Sequence, residues 1–74
     1  MARVRIFHDV EGNTLSVWFD EPALEATCEE TGDEVILMKD AAGRVIGFEK
    51  LNFSAESRDG LVVETFVPPV AAHP

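Results

Sequence analysis

Residues 33–51 read D-E-V-I-L-M-K-D-A-A-G-R-V-I-G-F-E-K-L, and this stretch decides the fold. Two apolar-rich runs, 35–39 and 44–50, flank Asp40-Ala41-Ala42-Gly43. Aspartate suits the first position of a type I turn, and glycine the left-handed position that closes a three-residue hairpin loop with a bulge. The stretch is therefore predicted to be a β-hairpin. With Asp40 facing Arg44, the expected pairs on one face are Met38–Ile46, Ile36–Phe48 and Glu34–Lys50. On the other face Lys39 meets Val45, Leu37 meets Gly47, and Val35 meets Glu49. A sheet with one wet face alternates cleanly between apolar and polar residues, and neither V-I-L-M nor R-V-I-G-F does. Both faces of this ribbon call for cover.

Upstream, residues 3–8 alternate basic and apolar (Arg3, Val4, Arg5, Ile6), and residues 14–19 put Leu15, Val17 and Phe19 on one face. Joined through Asp9-Val10-Glu11-Gly12-Asn13, they are expected to form a first hairpin. Pro22 breaks the second strand, because proline cannot donate to a ladder. Residues 25–30 then read as an acidic edge strand, although residues 22–30 also suit a helical turn or two. Thr31-Gly32-Asp33 is a tight turn into the organising hairpin. After Leu51 the chain turns polar, with Ser54 placed to cap a short helical turn. Leu61, Val62, Val63, Glu64, Thr65 and Phe66 have strong β character, and residues 67–74 form an extended Pro-rich tail. The expected organisation is one β domain over residues 1–66 followed by that tail. Its fold class is all-β: a small antiparallel sheet of hairpins with five to six strands, curled or layered through a dimer.

Seventy-four residues make one small core, and domains this short usually rely on disulfides, a metal or a partner subunit. Cys28 is the lone cysteine, which excludes an intrachain disulfide, and His8 and His73 lie at opposite ends. No metal and no cofactor are expected, so oligomerisation remains, and a homodimer is the expected state. The net charge is −8, so nucleic acid is not an expected partner. Seven acids between Asp20 and Glu34, with no base among them, read as a solvated face or as a docking surface for a small basic protein. No run resembles a signal peptide or approaches the length of a membrane span, and no membrane partner is expected. With a single free cysteine, the expected location is cytoplasmic.

Several residues carry a resemblance. Asp9, Asn13-Thr14-Leu15-Ser16-Val17, Val35-Ile36-Leu37, and Asp40-Ala41-Ala42-Gly43-Arg44-Val45-Ile46-Gly47-Phe48-Glu49 with Leu51 follow a familiar order. The chain resembles the small bacterial and archaeal family catalogued as domain of unknown function 2283, over roughly residues 3–55. The most specific part is G-R-V-I-G-F-E followed by a leucine one residue on. Asn13 stands where the family usually has aspartate and Ser16 where it has tyrosine; Trp18 takes over an aromatic role shifted by two residues. The family implies a compact all-β domain with no established activity. Some relatives are encoded beside small toxin-like proteins, which implies an antitoxin role as an alternative.

Among chemically tempting residues, Glu49 lies between apolar neighbours, and enclosure would raise its pKa and suit acid–base work. The structural alternative is a salt partner or a hydrogen bond at a strand end. No nucleophile, histidine partner or phosphate loop accompanies it, so no catalytic residue and no enzyme activity are expected. His8 and Asp9 are neighbours on a strand and point to opposite faces. Cys28, among acids, is expected to have a raised pKa. Gly47 leaves room for Leu37 or another large neighbour, or permits a bend. Phe7, Trp18, Val35, Leu37 and Val45 are the expected partner surface. The function expected is a non-catalytic interaction module working as a homo-oligomer, with an antitoxin-like partner of a small basic toxin, or a small-ligand-binding protein, as alternatives.

Overall fold

Turn chemistry sets the first constraint on the organising hairpin. In the computed structural model, which describes residues 1–56 and 58–70, the Gly43 N–H donates to the Asp40 carbonyl at 3.0 Å and Gly43 has φ +82°. Asp40 is buried, and one carboxylate oxygen accepts from the backbone N–H groups of Ala42 and Arg44, both at 2.9 Å. The other oxygen accepts from Arg44 Nε at 2.9 Å. These donors, the Arg44 backbone N–H foremost, hold the Asp40 carboxyl below the ordinary range.

The sheet has five antiparallel strands: β1 (Arg5–Asp9), β2 (Thr14–Trp18), β3 (Thr27–Glu30), β4 (Val35–Lys39) and β5 (Val45–Lys50). Their spatial order is β1-β2-β5-β4-β3, so the hairpins flank a β2–β5 junction and β1 and β3 are open edges. The all-β expectation holds; the sheet is a single open layer. Residues 22–30 divide between their two expected forms: a 3-10 turn at Pro22–Leu24, then β3. Asp33 and Glu34 both take left-handed φ (49° and 60°) with the Val35 N–H on the Gly32 carbonyl, the backbone of a tight primed hairpin turn.

The register of the organising hairpin departs from expectation. Lys39 faces Val45, as predicted, but Met38 then faces Gly47, Leu37 faces Phe48, Ile36 faces Glu49 and Val35 faces Lys50. Ile46 is an extra residue on β5, a bulge that slides every later pair by one and exchanges the faces of Phe48 and Glu49 relative to Ile36. The Glu34–Lys50 ion pair survives at 3.4 Å, because the lysine is long enough to reach back.

The Gly47 expectation is met by a different neighbour. A Cβ on Gly47 would lie 2.7 Å from the Val17 carbonyl oxygen and 3.0 Å from the Trp18 indole, so the large group it accommodates is Trp18, not Leu37. Past β5, Asn13 holds the chain to the first hairpin. Its amide donates to the Ser54 carbonyl at 2.9 Å and accepts from the Ser54 N–H at 3.1 Å, while its own carbonyl accepts from Phe53 N–H at 2.9 Å.

Residues 61–66, expected as a strand, join no ladder among the described residues. Its apolar side chains stand in the open, Phe66 at 80% exposure. The last four positions of the expected tail, residues 71–74, lie outside the described residues.

Very little of the chain is interior. Met38 and Ile46, each 4% exposed, are the buried hydrophobic residues. The accessible surface is 5912 Å², against about 4,500 Å² for a compact monomer of 8.1 kDa. The radius of gyration is 15.0 Å, where a compact chain of this length has about 11 Å.

Candidate interaction surface

Alternation along the strands sorts the side chains into two faces. One carries Arg5 and Phe7 from β1, Ser16 and Trp18 from β2, Gly47 and Glu49 from β5, Ile36 and Met38 from β4, and Cys28 and Glu30 from β3. The opposite face carries Ile6, His8, Leu15, Val17, Phe48, Val35 and Leu37. The five residues expected to make one partner surface are therefore split. Phe7 and Trp18 lie on the first face, while Val35 and Leu37 lie on the second. Val45 stands opposite Lys39 at the bulge, 46% exposed.

The first face holds an open hollow of about 420 Å³ whose floor is Trp18, Ile36 and Met38 and whose rim is Glu25, Glu30 and Glu49. Glycine at position 47 lets the indole lie across β5, and that placement gives the hollow its aromatic floor. Glu49 is half-buried there and accepts from the Ser16 hydroxyl at 3.3 Å. Among the described residues neither a salt partner nor a strand-end backbone bond holds it; Ser16, directly opposite on β2, does. Cys28 donates to the Glu25 carboxylate, and that hydrogen bond foremost pushes its thiol up. His8 is on the other face, edge-on to the Phe53 ring with centroids 5.5 Å apart.

The acidic band of residues 20–34 is partly structural. Glu21 binds Arg5 through both oxygens at 2.8 and 2.9 Å, Glu29 pairs with Lys39, and Glu34 contacts Lys50 and Asn52. The Arg5 guanidinium pulls the Glu21 carboxyl below its usual value. β3 is nevertheless exposed throughout and ends in Glu29 and Glu30, whereas β1 begins at Arg5 with Arg3 just before it. Among the described residues no helix is long and apolar enough to cross a membrane.

The sequence missed three features: the Trp18–Gly47 contact, the Asn13–Ser54 clamp and the bulge at Ile46. Only Gly47 carried a local signal, a glycine within a strand.

No curated protein and no solved structure matches the chain. A family model does, over residues 5–54, which takes in all five strands and ends at the Ser54 clamp. The chain belongs to that family, described as protein of unknown function DUF2283.

Proposed function

We propose that the chain is a non-catalytic protein-interaction module that works as a homo-oligomer. The observation that carries this reading is the surface: about 1,400 Å² more is exposed than on a compact monomer of the same mass. A standard interface takes about 800 Å² from each partner, so the excess is enough for one. Much of it is apolar, including Phe7, Phe66, Val67 and Val70. Single-layer sheets with both faces half-covered gain little burial until a second layer arrives. Light scattering on an eluting sample at micromolar concentration tests the reading: twice the chain mass supports it, and the chain mass alone overturns it.

A second reading, a neutralising partner for a small basic protein, draws on the exposed acidic β3 edge and the carboxylate rim around Trp18. A cationic side chain on that floor would meet both an aromatic face and carboxylates. Titration with a lysine- and arginine-rich peptide, followed by Trp18 fluorescence, tests it. Saturable quenching that fades with salt supports this reading, and an unchanged spectrum removes it.

A further inference from the structure

We infer that residues 61–66 of one copy add to the free edge of β1 in a second copy, so that two chains exchange arms reciprocally. The inference rests on the homo-oligomer reading above and specifies the contact.

Two unsatisfied surfaces meet in this arrangement. β1 is an outermost strand, and its outer row of backbone N–H and C=O groups has no neighbouring strand among the described residues. Residues 61–66 are rich in β-branched residues and join no ladder among the described residues. Both segments expose apolar side chains: Ile6 and Phe7 on one, Val62, Val63 and Phe66 on the other.

Charge chooses between the two open edges. Residues 61–70 carry a single charge, Glu64. On β3 it would meet Glu30 and the Lys39-paired Glu29; at β1 it meets Arg3, just before the strand, and Arg5, which Glu21 already holds. An antiparallel register with Glu64 opposite Arg5 also sets Val63 opposite Ile6 and Val62 opposite Phe7, matching apolar with apolar on both faces. The same register puts Phe66 opposite Arg3, and a hollow of about 360 Å³ lies there, with Trp18, Phe19 and Arg3 on its walls beside the Arg5–Glu21 ion pair and Asp20. An aromatic ring fills such a space, with a guanidinium beside it. Reciprocal exchange closes a two-fold dimer and leaves no further copy of either surface exposed.

The test pairs cysteines across the predicted register in full-length chains whose Cys28 is replaced by serine. One variant carries Phe7→Cys and the other, mass-tagged, carries Val62→Cys. Directly opposed strand positions fall within disulfide reach. Mixed and oxidised, they are expected to give a mixed-mass disulfide dimer as the main product, several-fold above either like-with-like product. Putting both substitutions in one chain should give a covalent dimer. If the unsubstituted protein is a dimer but the mixture gives no mixed-mass product, or the double variant closes within one chain, the arm placement is overturned and the oligomer stands. An unsubstituted protein that runs as a monomer overturns both.

Discussion

The Asp40 hairpin and the arm at residues 61–70 are similarly apolar, yet one lies within the sheet and the other exposes its side chains to solvent. The hairpin has a neighbouring strand on each side and a turn in which a buried carboxylate accepts three hydrogen bonds. The arm has β-forming residues and no strand beside it. Apolar character alone does not order a segment; it must also have somewhere to place its backbone hydrogen bonds. In this chain the hairpin finds that place internally, and on our account the arm finds it on another copy.

The comparison can be pushed hardest at the arm. Val63→Pro removes a ladder donor, and it is expected to weaken dimerisation on the order of a hundredfold, about 2.7 kcal/mol, in sedimentation runs. The far-ultraviolet signature of the five strands should persist in it. On the hairpin side, Gly47→Ala drives a Cβ against the Val17 carbonyl and the Trp18 indole. Overpacking of this kind costs about 1–3 kcal/mol, and urea melts with a Trp18 fluorescence readout should show both the loss and a displaced indole. Asn13→Asp comes next. A carboxylate cannot donate to the Ser54 carbonyl and turns a lone pair towards it, at a cost of about 1–2 kcal/mol in the same melts.

The smallest effect is the acid limb. Asp40 titrates lower in the folded chain than its ordinary 3.8, so the folded state binds fewer protons there. Its contribution is complete above that value and is lost as pH falls through it towards the depressed folded value. Glu21, lowered by Arg5, acts in the same direction from 4.5 downward. Denaturation followed from pH 7 to pH 3 should show this loss only below 4.5, and Asp40→Asn should flatten it.

How much of this was legible in the sequence depended on how local the chemistry is. The Asp40–Gly43 turn was readable because its hydrogen bonds lie within five residues. The Glu34–Lys50 pair was readable because a long side chain tolerates a slipped register. The bulge at Ile46 was not, since two residues facing one is a property of the pair of strands and not of either alone. That one residue moved Phe48 to the opposite face from Ile36 and split the expected partner surface, with Phe7 and Trp18 on one side and Val35 and Leu37 on the other. Asn13 and Ser54 are separated by 41 positions, and nothing in either neighbourhood announces the clamp. Residues 61–66 were legible as β-forming but not as unpaired, because propensity says nothing about whether a partner is within reach.

Amide hydrogen exchange over a dilution series tests most directly whether a second copy completes this sheet. The account predicts that amides of residues 62–66 and of the β1 edge are protected together in concentrated samples and lose protection together on dilution. Those of β4 and β5 should remain slow for longer. Exchange at residues 62–66 as fast as in a free peptide, at every concentration, would contradict it.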